Sequence, residues 1–234
     1  MFKIACSHLK SYPKAVILYS ALIFIYATIK VCGESIYLPD KKDMDLDDFP
    51  KHYLLLSGII TAIYFALVQA ITFPIFGREI DKPLWKIPPT LVIFFKFFSF
   101  WFALHLLSLM LRLLIFQSNL VLEEQFNLYM TWLMFTTTIL PFGATVMFYG
   151  DTSWIGIKQT LSTMFGQFPY YLGVCIITFF IYIYIHEIYP SLPNYAIPII
   201  ELIGALIDCI IFAYCWEVCK KYRDELENMD DIDF

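Results

Sequence analysis

The chain has 234 residues, of which 59% are hydrophobic, 19% aromatic and 16% charged, with a mean hydropathy of +0.67. Soluble domains carry about 25% charged residues, so this composition excludes an ordinary soluble core. A net charge of −5 leaves no basic footprint for nucleic acid.

The apolar residues fall in repeated runs close to the roughly 20 residues that cross a hydrocarbon core as a helix. The chain therefore reads as an all-α, polytopic membrane protein forming a single membrane domain over 1–234. Six transmembrane helices are predicted at about 14–32, 53–76, 89–116, 128–149, 169–189 and 196–219. A cytoplasmic interfacial helix is expected at 151–168 and an acidic cytoplasmic tail at 220–234, with "DELENMDDIDF" as its mobile end. Pro13, Pro89 and Pro169 sit at or near first helical turns, where a missing N–H costs little.

The first apolar run, about Ala15 to Ile29, exceeds a compact signal-peptide core and lacks a small-residue cleavage motif; a retained helix is expected. The loop after it, "GESIYLPDKKDMDLDDFPKHY", spaces Asp43, Asp45 and Asp47 as a calcium loop would. The turn glycine and distal glutamate of such a loop are missing, so a solvated acidic loop without a metal is expected. In the second span Gly58, Ala62, Ala66 and Ala70 recur every four residues and form a face where a neighbouring backbone can approach closely.

The third span, "IFFKFFSFWFALHLLSLMLRLLIF", carries Lys96, His105 and Arg112. Lys96 lies near one end and is expected to snorkel to the headgroups. Trp101, His105, Ser108 and Arg112 share one helical face. In the fourth span Pro141 frees the carbonyl of Thr137 and should kink the helix. Gly143 loosens the next turn, and Thr136 to Thr138 are placed to satisfy freed backbone groups. The kink reads as packing geometry or as a hinge.

In segment 151–168, Trp154, Ile157, Leu161, Met164, Phe165 and Phe168 recur at helical spacing, with Lys158, Gln159, Ser162 and Thr163 between them. Asp151 or Ser153 is the expected N-cap. The segment reads as an amphipathic helix lying in the interface, or as a loop helix packed on the bundle.

The sixth span places Glu201 and Asp208 seven residues apart on one face. Spans three and six run antiparallel, and Arg112 and Glu201 lie about 6 and 8 Å inside the same boundary at 1.5 Å per residue. His105 and Asp208 lie two turns deeper. The prediction is a buried polar seam of His105, Ser108, Arg112, Glu201 and Asp208, paired as Arg112–Glu201 and His105–Asp208. Pairing offsets part of the roughly 2.5–3.5 kcal/mol that each charge costs at a helix centre. The seam reads either as a structural network fixing helix register or as a route or binding site for an ion or polar solute, with His105 beside Asp208 able to shuttle a proton.

Lysines and arginines set the orientation. Lys3, Lys10, Lys14, Arg78, Lys82, Lys86, Lys158, Lys220, Lys221 and Arg223 fall on one side, and Lys41, Lys42 and Lys51 on the other. Both termini are expected in the cytoplasm. The six cysteines form no C-x-x-C pair and are expected to be reduced apolar fillers. No N-x-[ST] sequon occurs, and no repeat relates 1–116 to 117–234, which speaks against an inverted-repeat transporter.

No nucleophile-elbow, zinc-protease or phosphate-loop motif is present. Glu123–Glu124 suggests the paired glutamates of intramembrane CAAX-type proteases, but "EEQFNLY" lacks the arginine that should follow, and His105 and His186 lack companions. His186–Glu187 reads as an interfacial cap.

Residues 141–173, "PFGATVMFYGDTSWIGIKQTLSTMFGQFPYYLG", join a proline-bearing span, an Asp just past its end, an amphipathic helix and another span; the last helix ends in "YCWEVCKKYR". This pattern resembles the YciC-like group of uncharacterised bacterial inner-membrane proteins. The resemblance implies six membrane helices in the inner membrane and transfers no functional residue.

The expectation is a non-enzymatic, multi-pass protein without a cofactor, which moves a small solute or ion or assists a transport or envelope assembly. The alternative is an interaction, immunity or accessory subunit whose seam is purely structural. Expected partners are the lipid bilayer and a membrane protein or a second copy of the chain.

Overall fold

The computed structural model describes residues 1–37, 51–80, 91–117, 122–188 and 192–230. The acidic loop with Asp43, Asp45 and Asp47, the residues Lys82, Lys86 and Pro89, and the side chains of Lys51, Glu123, His186 and Glu187 lie outside the described residues.

The described chain is all α-helical: α1 (Phe2–Ser11), α2 (Pro13–Tyr37), α3 (Lys51–Ile80), α4 (Leu91–Gln117), α5 (Leu122–Tyr149), α6 (Trp154–Gly166), α7 (Phe168–Ile188) and α8 (Ile197–Asp230). A single 3₁₀ turn, Asn194–Ala196, leads into α8. The long helices α2, α3, α4, α5, α7 and α8 are apolar around most of their circumference, and all six are long and apolar enough to cross a membrane. This is a multi-pass membrane protein.

Helix extends beyond the six spans at both ends of the chain. α1 precedes the first span; it is too short to show as an apolar run, and it docks by burying Ala5 and by a contact of His8 Nε2 with Glu217 Oε1 at 2.9 Å. The acidic tail continues α8 as helix as far as Asp230. Its first turns are held by a Lys221–Glu225 ion pair at 3.4 Å and a bond from Gln167 Nε2 to Glu225 Oε2 at 2.9 Å. Six crossings place α1 and the end of α8 on one side, and the His8–Glu217 contact joins them there.

α3 lies along α4, while α8 packs on α2, α5 and α1, and α5 also packs on α4, α6 and α7. Ala62, Ala66 and Ala70 are buried on α3, and a side chain at Gly58 would meet Leu109 of α4. The centre is aromatic. Phe73 stacks on Phe212 at 4.5 Å between ring centroids and meets the edge of Trp101 at 5.8 Å; Phe212 continues to Trp216 at 5.0 Å. Trp101 is fully buried over Gly143, where a Cβ would overlap the indole, and its Nε1–H points to Met147 Sδ at 3.3 Å. Gly143 thus makes room for a ring.

α5 continues as helix through Pro141, and α3 through Pro74. The hydroxyls of Thr137 and Thr138 donate to the carbonyls of Met134 and Phe135, one turn back, at 2.8 and 2.7 Å. They do not serve the freed Thr137 carbonyl as expected.

α5 ends at Gly150, whose φ of +65° is the left-handed conformation that glycine adopts freely. Lys96 donates to the Gly150 carbonyl at 2.7 Å and lies 3.7 Å from Asp151 Oδ1. It is therefore a C-terminal cap rather than a residue reaching for headgroups. Ser153 is the N-cap of α6, and Asp151 accepts from its N–H at 2.8 Å and its hydroxyl at 2.6 Å.

α6 turns Gly156, Thr160 and Thr163 inward, the last hydrogen-bonded to Tyr149, while Trp154, Ile155 and Phe165 face outward. Thr163, expected on the polar outer face, is buried because only small side chains fit between α6 and the bundle.

Gly143→Ala should destabilise the protein by about 1–3 kcal/mol through overpacking, seen as a lower thermal midpoint in detergent. Gly204→Ala, where nothing lies within 4 Å, should be neutral or gain up to about 1 kcal/mol of helix propensity. Equal effects would contradict the Trp101 seat.

The hydrogen bonds from Ser153, side chain first, and then the charge of Lys96 hold the Asp151 carboxyl below the ordinary carboxylate range. Its contribution is complete above the unfolded value of about 3.9 and is lost as pH falls through the lowered folded value. Wild type and Asp151→Asn should therefore differ in thermal stability at neutral pH and converge only below the usual carboxylate range.

Candidate functional site

Three helices present polar stripes at the same rhythm. α2 carries Tyr19, Tyr26 and Lys30; α4 carries His105, Ser108 and Arg112; α8 carries Glu201 and Asp208. Offsets of seven and eleven return to nearly the same face of a helix. These stripes border three adjoining cavities of about 250, 310 and 350 Å³, which share Lys30, Phe65 and Arg112 as lining residues. Glu34 joins two of them, as do Glu201 and Asp208. Together they form one polar chamber.

The predicted seam residues His105, Arg112, Glu201 and Asp208 converge on this chamber, but His105 and Asp208 are not bonded to each other. Among the described residues α4 and α8 are not a packed pair; α3 and α5 lie against α4, and α2 and α5 against α8. His105 Nε2–H donates to Oε1 of Gln69 on α3 at 2.7 Å. Asp208 Oδ2 accepts from the Tyr19 hydroxyl of α2 at 2.9 Å. His105 and Asp208 therefore bond to different neighbours, α3 and α2, instead of to each other. Arg112 and Glu201 face the same cavities, and the Arg112 guanidinium lies over the Trp132 ring at 5.7 Å. Ser108 belongs to a closed circuit with α5. Trp132 Nε1–H donates to Ser108 at 3.1 Å, Ser108 to Thr136 at 3.1 Å, and Thr136 to the Trp132 carbonyl at 2.8 Å.

The chamber occupies one half of the bundle. Lys30 and Glu34 are near the end of α2, Arg112 near the end of α4 and Glu201 near the start of α8, all on the side away from the termini. Asp208, His105 and the buried Tyr19 and Gln69 form its floor. Below them Tyr19 meets Phe73 at 5.0 Å, and the Trp101–Phe73–Phe212–Trp216 stack fills the bundle.

The sequence pattern could have revealed Tyr19 and Lys30, since residues 19, 23, 26 and 30 keep the rhythm of 101, 105, 108 and 112. Gln69 gave a weaker signal, one amide among the small residues Ala66 and Ala70. Glu124 is exposed on α5 and lines none of these three cavities. Among the described residues no three His, Cys, Asp or Glu side chains gather as metal ligands. The six cysteines are unpaired, with Cys209, Cys215 and Cys219 buried in α8.

Tyr19→Phe and Asp208→Asn should be non-additive. A double-mutant cycle on thermal stability should return a coupling of about 0.5–3 kcal/mol, as for residues in one hydrogen-bond network. Strict additivity would contradict the floor described here.

No protein-family model, no curated protein and no solved structure matches this chain.

Proposed function

We propose that this protein is a non-enzymatic component of a bacterial inner membrane that binds a small polar solute or ion in the chamber and assists its movement. The observation that carries this reading is open volume bounded by Lys30, Glu34, Arg112, Glu201 and Asp208 at membrane depth. Charges there cost about 2.5–3.5 kcal/mol each on insertion scales. A network serving helix register alone gains most by closing its charges onto each other without a void; a binding site needs the void.

The lysine and arginine bias favours both termini in the cytoplasm, which turns the chamber to the outside. In the same frame α6 lies at the cytoplasmic interface with Trp154, Ile155 and Phe165 toward lipid. Residues 141–173, the stretch whose pattern resembles YciC-like proteins, run from the end of α5 through α6 into α7. A second reading, an accessory subunit docking a membrane partner, is favoured by one feature. An apolar groove of about 600 Å³ lies between α5, α6 and α7 and is lined by Met134, Phe165 and Phe179 among others.

Cysteine labelling tests both the chamber and its direction. In a background with the native cysteines replaced, Thr136→Cys should react with a charged, membrane-impermeant thiol reagent added outside spheroplasts. Reaction only from the inside would reverse the orientation. No reaction from either side, in a protein present at normal abundance, would show a dry structural network and overturn the solute reading.

A further inference from the structure

Away from the chamber, the apolar groove between α5, α6 and α7 has a shape that selects its occupant. One wall is a stripe on α7, where Phe168, Leu172, Ile176 and Phe180 recur every four residues, line the groove and are exposed. The stripe is about 18 Å long at 1.5 Å per residue. At its far end α5 contributes Met134, Thr137 and Thr138; Thr138 is eleven residues before Tyr149, about 16 Å along the helix. At the near end α6 joins the α5 span at Tyr149 to the α7 span at Phe168 and closes the groove with Leu161, Met164 and Phe165. The hydroxyls of Thr137, Thr138 and Tyr171 in its walls are bonded within the protein, so none of them calls for a polar occupant.

The length decides between an apolar helix and a lipid. The hydrocarbon core is roughly 30 Å thick, so the groove has the depth of a single leaflet. A partner helix crossing the bilayer runs the full thickness and would meet α6 on the way. An acyl chain needs one leaflet only, and its headgroup comes to rest at the level of α6.

α6 also supplies a charge at that level. Trp154, Lys158, Leu161 and Phe165 lie four, seven and eleven residues along and share one face. Leu161 and Phe165 of this face reach the groove. Lys158 is exposed and makes no hydrogen bond or ion pair among the described residues. The single carboxylate between α5 and α7, Asp151, is held by Ser153 and Lys96. A lysine so placed attracts an anionic headgroup.

We infer that the groove binds one anionic phospholipid from the leaflet on the α6 side, with an acyl chain along the α7 stripe and the phosphate at Lys158. The site is separate from the chamber, and it gives to lipid the groove that a partner helix would otherwise take.

Native mass spectrometry of the protein in a non-ionic detergent tests this, with dioleoylphosphatidylglycerol and dioleoylphosphatidylcholine titrated as competitors. The first lipid adduct should saturate ahead of later ones and favour phosphatidylglycerol about fivefold, the contribution of one lysine near a membrane surface. Lys158→Gln should keep this adduct and level the two lipids. Ile176→Trp fills the groove and should abolish the adduct. Ile177→Trp, exposed on α7 but outside the groove, should leave it intact. A wild-type adduct without headgroup preference, or a preference that survives Lys158→Gln, would overturn the phosphate seat. A saturating adduct that survives Ile176→Trp in protein of unchanged helicity would overturn the groove. Lys158→Gln changes only an exposed side chain and carries the test alone if Ile176→Trp does not fold. A dimer that Ile176→Trp dissociates, with no saturating lipid adduct in the wild type, would overturn the proposal in favour of a second copy of the chain.

Discussion

A polar side chain in hydrocarbon has no water to fall back on, and the bond between Tyr19 and Asp208 at 2.9 Å is where this protein meets that constraint most directly. It ties α2 to α8 at mid-depth. A second bond, from His105 to Gln69, ties α4 to α3. Two polar bonds thus register four helices in two pairs. Each bond needs its two polar residues at the same depth to form.

The two halves of the bundle divide the work. Below the polar floor, aromatic rings stack without interruption from Trp101 to Trp216, with Gly143 giving up its side chain so that the indole can sit on α5. Dispersion between rings and close backbone approach drive helix association where lipid tails are as apolar as the protein. Above the floor, charged side chains border open cavities. The rigid half makes the open half affordable, because packing strength is not required of the chamber walls.

Sequence hydropathy pointed to six long apolar helices, and six are present, since unbroken apolar length is a direct readout of membrane thickness. It also placed His105, Arg112, Glu201 and Asp208 on faces that the structure brings to one cavity. Their partners were not legible. Helical spacing says which residues share a face, but nothing about which of five other helices that face meets, and α4 and α8 proved to be separated. Lys96 shows the same limit. Its position near a helix end suggested headgroups, whereas the nearest good acceptor was the carbonyl of Gly150 on another helix. α1 was missed because a ten-residue amphipathic helix carries little signal before its docking surface is known.

The clasp between His8 and Glu217 joins residues 209 positions apart. While the chain is being made, α2 enters the bilayer long before α8 exists, and the Tyr19 hydroxyl waits in lipid without its carboxylate. Contacts this distant along the chain close late. The nascent protein therefore passes through a prolonged interval in which five spans are inserted and the sixth is still owed. A message truncated before α8 would yield a product that no amount of time could complete, and membrane quality-control proteases would meet it with its polar interior unsealed.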